Sequence, residues 1–167
     1  NNPVVYYDPS GYSNKNYHPE IVWPSKPHNN RTPGHWETII DQVSEWRESG
    51  EYDRIYVNKG IKRELGAGNF KNNRPDVWGV RRDNGKIDQI EVPSLTDDFI
   101  ALQKRMEDNQ KNMGERAGTK SLRAIPDKYK NNSLSSEIEL PDELLYSISP
   151  KKKRNGSKKK GSCKDDT

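Results

Sequence analysis

A small mixed α/β (α+β) domain with the order helix-strand-strand-strand-helix-strand is the fold the sequence predicts. Three observations carry it. Apolar residues recur at helical spacing in two windows, 35–49 and 96–113. Alternating runs rich in branched and aromatic residues occupy 52–58, 76–81 and 86–92. Asn84-Gly85 between the last two runs tolerates the positive φ of a tight hairpin turn.

In the first helix Ile39, Ile40, Val43 and Trp46 fall on one face, Asp41, Glu45 and Glu48 on the other. Thr32 is a candidate cap, Pro33 suits the entry and Gly50 ends the run. The strand at 52–58 precedes a loop at 60–73 with three glycines and three asparagines. In the second helix Phe99, Leu102, Met106 and Met113 repeat at helical spacing, Thr96 can cap, and Asp97 and Asp98 favour the positive helix end. Residues 121–125 read as a last strand, stopped by Pro126. The core domain therefore spans 35–126.

The ends read differently. Residues 1–34 hold six prolines and four tyrosines, and predict an extended, flexible linker with turns such as Asp8-Pro9-Ser10-Gly11. Residues 127–150 form an extension in which Leu140, Leu144, Leu145 and Ile148 can make a short helix packing back. Residues 151–167 read as a basic, flexible, solvated tail.

Composition narrows the function classes. Of 167 residues 29% are hydrophobic and 32% charged, with a mean hydropathy of −1.23, so the core is small. No apolar run approaches the ~18 residues of a membrane span. The lone Cys163 excludes a disulfide framework within the chain. The net charge of +4 misleads: 151–167 carry 8 Lys/Arg and 2 Asp, leaving 21 basic against 23 acidic side chains elsewhere. A nucleic-acid argument must therefore be local.

Two constellations can carry chemistry. Asp76 opens one strand of the hairpin and Glu91 nearly closes the next. In a two-residue hairpin, position i lies opposite roughly 169 minus i. Glu91 then faces Trp78, with Asp76 its diagonal neighbour within ~7–8 Å. Two carboxylates that close repel unless a cation bridges them, and Mg²⁺ is held by one or two carboxylates and several waters. Asp88, of opposite parity to Glu91, should point away. The second constellation is basic: Arg54, Lys59, Lys62, Arg63, Lys71, Arg74, Arg81, Arg82 and Lys86 against three acids. This stretch suits a polyanion lying beside the acid pair. His18, His28 and His35 are a weaker set, and Gly66-Ala67-Gly68 lacks the Lys-Ser/Thr of a phosphate loop.

Two family resemblances follow. Asn2-Pro3-Val4 with Asp8-Pro9-Ser10-Gly11-Tyr12 resembles the end of YD-repeat (Rhs-like) shells, in the Tyr-rich form of the wall-associated WapA type, after which such proteins carry a variable toxin. Residues 32–36, 56–60, 74–81, 86–94, 96–98 and 114–118 resemble polymorphic-toxin nucleases of the PD-(D/E)xK kind. The resemblance implies that 1–34 are shell end and linker, and that 35–126 are a nuclease core of restriction-endonuclease-like fold. It implies a divalent metal, Mg²⁺, on Asp76 and Glu91, with Glu37 or Glu45 as a further ligand. The Lys that follows the second acid by two in this family is Pro93 here. Lys59, Lys104 and Arg105 are the candidate substitutes, with Ser94 or Gln103 positioning water.

The expected function is a secreted or cell-wall-associated toxin of contact-dependent competition that acts in the target cell's cytoplasm. Its catalytic residues are Asp76, Glu91, Lys59 and Lys104, with Arg54, Lys62, Arg63, Lys71, Arg74 and Arg81 on the nucleic acid. The WapA type favours tRNA as substrate, and the PD-(D/E)xK kind DNA; tRNA is preferred because shell and toxin come together in one chain. A toxin of this class implies a cognate immunity protein, acidic and covering residues 59–74. The alternatives are a DNase of the same fold, a non-catalytic cell-wall or nucleic-acid binding module, and a metal-independent ribonuclease using His18, His28 or His35 as base.

Overall fold

A computed structural model describes residues 17–26 and 32–130. The order is β1 (Glu20–Val22), α1 (His35–Ser49), β2 (Tyr52–Val57), α2 (Lys62–Leu65), β3 (Val77–Arg81), β4 (Ile87–Glu91), α3 (Phe99–Met113), β5 (Ala117–Leu122) and α4 (Asp127–Lys130). One mixed sheet holds the strands in sequence order. β2, β3 and β4 form an antiparallel meander, while β1 joins β2 and β5 joins β4 in parallel. Parallel neighbours need a crossover, and α1 and α3 provide the two. The mixed α/β class is present; the expected elements keep their order, with β1 and α4 added at the ends and the short helix α2 (Lys62–Leu65) inside the 60–73 segment expected as a loop.

α1 covers one face. Ile39, Ile40 and Val43 pack with Ile55, Val57, Val77, Ile90 and Val92, and Trp46 stacks on Tyr52 at 4.4 Å. Gly79 lies beneath that stack: a Cβ there would meet Tyr52 Cδ1 at 2.6 Å. The other face packs Tyr56, Ile61, Trp78, Val80 and Ile87 against Met113 of α3. Trp78 is fully buried, stacks on Tyr56 at 3.9 Å and donates its indole N–H to the Lys59 carbonyl at 2.8 Å.

Several expectations are corrected. The segment read as linker up to residue 34 contributes β1, because Ile21 is an apolar side chain that fills the α1 face of the sheet among polar neighbours. Thr32 does not cap α1; Gly34 does, with φ 79°, while the Thr32 carbonyl accepts the His35 N–H. Thr96 does not cap α3. That helix starts at Phe99, and Asp98 accepts from the backbone of Ile100 and Ala101. Phe99 is consequently in its first turn and 58% exposed, not on the packed face with Leu102, Met106 and Met113. The last strand is Ala117–Leu122, earlier than the apolar 121–125 suggested, because it is a polar edge strand fastened by the Asp88 carboxylate, which accepts the Thr119 N–H. Asp88 does point away from Glu91, yet it is buried, hydrogen-bonded by Tyr52 and ion-paired with Arg81.

The hairpin register also differs. Val77 pairs with Ile90 and Val80 with Ile87, so paired positions sum to two less than a two-residue turn requires. Arg81 still bonds Lys86, and the loop between them takes four residues, ending on Gly85 at φ 67°. The Asp8-Pro9-Ser10-Gly11 turn, the 131–150 leucines and the basic tail lie outside the described residues.

Candidate active site

The corrected register places Asp76, just ahead of β3, directly across from Glu91 at the end of β4 rather than diagonal to it. Both side chains are almost wholly buried, at 7% and 1% exposure, and near enough for the Asp76 charge to act on Glu91. Asp76 Oδ2 accepts the Val92 N–H at 2.8 Å, and its carbonyl accepts the Asn58 N–H. Buried His35, at the start of α1, brings Nε2 to 3.6 Å from the same Oδ2. From α3, Arg105 meets both Glu91 oxygens, at 3.0 Å from Nε and 2.8 Å from the second terminal nitrogen. Burial first, and then the neighbouring Asp76 charge, push the Glu91 carboxyl up to about 8 against the opposing pull of Arg105.

An amide chain holds α3 against the sheet at this point. Asn73 donates to Asn109 at 2.8 Å, Asn109 donates to Gln89 at 2.9 Å, and Gln89 donates to the Met106 carbonyl at 2.9 Å. Gln89 shares a sheet face with Glu91, and Asn109 shares a helix face with Arg105. The chain therefore fixes the helix that presents Arg105. Sequence reasoning missed all three amides; the i, i+2 relation of Gln89 to Glu91 and the i, i+4 relation of Arg105 to Asn109 were the available signals.

Beyond Asp76, past the ends of β1 and β2, lies a polar cleft of about 690 Å³. Lys26, Lys59, Lys62, Arg63 and Arg74 line it, and no carboxylate does. Of the expected nucleic-acid contacts, Lys62, Arg63 and Arg74 are brought here. Arg54 is instead paired with Glu64 at 2.9 Å, and Arg81 with Glu51, Asp83 and Asp88. Lys71 is exposed outside the cleft lining.

Of Lys59, Lys104 and Arg105, the three basic residues expected to stand in for a lysine at position 93, Arg105 touches the acid pair through Glu91. Lys104, one residue earlier on α3, is exposed, as is Gln103, and Lys59 belongs to the cleft. Ser94 is buried, its N–H held by Asp97. Glu37 is half-buried in the first turn of α1, and Glu45 is engaged by Arg123 at 2.6 Å on both oxygens. Neither joins the pair: among the described residues no group of three or more His, Cys, Asp and Glu forms a metal set.

Two buried carboxylates side by side, one pushed up by burial and then by the other's charge, are nonetheless a donor set that fits Mg²⁺, which keeps several waters and needs only one or two protein carboxylates. Asp76 and Glu91 would hold it. Comparison with protein-family models, with curated proteins and with solved structures finds no match. Among the described residues no helix is long and apolar enough to cross a membrane.

Proposed function

We propose that this chain is a metal-dependent nuclease of restriction-endonuclease-like fold that cleaves RNA, with tRNA the substrate class and DNA the alternative. The observation that carries it is the buried Asp76–Glu91 pair, set across from each other by the strand register, beside a cleft lined by five cations and no carboxylate. The cleft attracts the phosphate backbone and positions it. Bound Mg²⁺ supplies activation of water and neutralisation of phosphate charge. Asp76 and Glu91 would hold the metal, and Arg105, which pairs with Glu91, would be the cation beside them. The protein then acts as a toxin of the wall-associated YD-repeat kind, secreted or wall-bound in its producer and active in the target cytoplasm, with a cognate acidic immunity protein over residues 59–74. The resemblance of the first twelve residues supports that part.

Cleavage of purified tRNA and plasmid DNA with Mg²⁺ or EDTA, by wild type and Asp76→Ala, tests the reading. Mg²⁺-dependent loss of one substrate, absent in the variant, is the expected result. Intact substrates in every lane would overturn it.

The position of His35 favours a second reading. RNA can be cut through its own 2′-OH, and an imidazole 3.6 Å from a buried carboxylate is arranged as a general base. Full RNA cleavage in EDTA, lost in His35→Ala, would select this reading.

A further inference from the structure

The sheet's strand order lays three surfaces side by side at one end. The cationic cleft hangs from the ends of β1 and β2, the acid pair from β3 and β4, and a third surface from β4 and β5. That third surface is an apolar groove of about 530 Å³ walled by Pro33, Pro93, Leu95, Phe99, Leu122 and Ile125. It adjoins the acids through the chain itself: Pro93 follows Glu91 by two residues, and Pro33 precedes His35 by two. Leu95 is 83% and Phe99 58% exposed, unusual for large apolar side chains beside a charged site. From β2 to β5 is three strand spacings, about 14 Å, a span of a few nucleotides.

A strand anchored by its phosphates in the cleft and crossing the acid pair arrives at a groove whose walls are mostly carbon with one aromatic ring, Asp97 and Lys130 being the charged side chains on its lining. What such a strand still has to bury is a base. A base stacked and paired within a duplex cannot enter; an unpaired one can be splayed out onto an aromatic face. We infer that the groove receives an unpaired base next to the phosphate held at Asp76 and Glu91, so the substrate is a loop or single-stranded segment and not a continuous duplex. This inference rests on the nuclease reading above.

The test uses the full chain in EDTA, where metal-dependent cleavage is stopped, and reads binding by fluorescence anisotropy. The probes are a single-stranded RNA carrying 2-aminopurine and the same sequence as a perfect duplex. Wild type should prefer the single strand, with a change in 2-aminopurine emission. Phe99→Ala and Leu95→Ala should weaken single-strand binding roughly 5- to 100-fold and leave duplex binding unchanged. Both residues are exposed, so folding should be unaffected. Lys62→Ala with Arg63→Ala should weaken both probes.

Wild type binding neither probe would sink the nuclease reading itself. Binding of both probes that depends on Lys62 and Arg63 but is indifferent to Phe99 would sink the groove inference alone. A loss of thermal stability in Phe99→Ala with RNA binding intact would give the groove to the chain's own 131–150 segment. A Phe99-dependent dimer would give it to a second copy. Either result overturns the assignment to a base.

Discussion

Arg105 and Glu91 face each other in a two-point ion pair, 3.0 and 2.8 Å, between the middle of α3 and the last residue of β4. Glu91 is thereby held between a cation on one side and a second carboxylate, Asp76, on the other.

Removing Arg105 leaves Glu91 and Asp76 facing each other in a buried site. Arg105→Ala should cost about 1–3 kcal/mol of stability, and the cost should grow with pH as Glu91 is asked to ionise without its partner. Denaturant unfolding at pH 5.5 and 8.5 measures the difference. An equal cost at both would mean that Arg105 acts by packing its stem alone.

The raised Glu91 carboxyl sets a direction for the wild type. The unfolded chain releases this proton in the ordinary glutamate range, while the folded chain keeps it until about pH 8. Its contribution is thus fully present below the unfolded value and is lost as pH rises through the folded one. In EDTA, wild-type stability should fall between about pH 5 and 8 relative to Glu91→Gln, which cannot ionise. Added Mg²⁺ should flatten the fall and release a proton, measurable by calorimetry in buffers of different ionisation enthalpy.

Asn109 is the middle of the amide chain, and Asn109→Ala strands Asn73 and Gln89 as buried polar groups. Each is worth about 1–3 kcal/mol when left unsatisfied. Because the chain sets α3 against β4, cleavage should fall by about 10- to 100-fold, as for other outer groups that orient a metal ligand. Stability and rate measured on the same preparation should move together.

The cationic cleft predicts a salt signature. Lys62→Ala with Arg63→Ala should lower the slope of log binding constant against log salt by about two, one for each phosphate contact removed. Arg54→Ala, whose guanidinium is committed to Glu64, should leave the slope unchanged. A titration of RNA binding across salt concentrations decides this.

Gly79 lies under the Trp46–Tyr52 stack, where a methyl group would come within 2.6 Å of the Tyr52 ring. Gly79→Ala should therefore destabilise by about 1–3 kcal/mol through overpacking, read as a lower unfolding midpoint with an unchanged RNA-binding constant.

The proximity of Asp76 to Glu91 was legible because strand side chains alternate with period two, which survives an error of two in the pair sum. The register itself was not, since Asp83-Asn84-Gly85 fits both a two-residue turn and the four-residue loop adopted. The choice of Arg105 over Lys104 was also hidden. Successive residues point about 100° apart on a helix, and only the packing of α3 on the sheet decides which one meets the acid. β1 was masked by its prolines: three residues give no period to read, and Ile21 earns its place through tertiary burial. The ion pairs of Arg54 and Arg81 depend on Glu64 and Asp88 in other elements, which residue counts along the chain do not reveal.

The two crossovers divide the sheet by the time its parts need to assemble. The β3–β4 hairpin closes over a short loop and β2 joins it across the α2 segment, whereas β1 reaches its partner only after thirty or so residues, with Glu20 beside Arg54, and β5 only after α3 has formed. Local pairings form before distant ones because less chain entropy is lost in closing them. The acid pair belongs to the early meander, while one of the parallel edge strands that flank it is only three residues long and contributes few ladder amides. Amide exchange should therefore be slowest at β3 and fastest at β1, so the two buried carboxylates sit in the part of the molecule that is last to open.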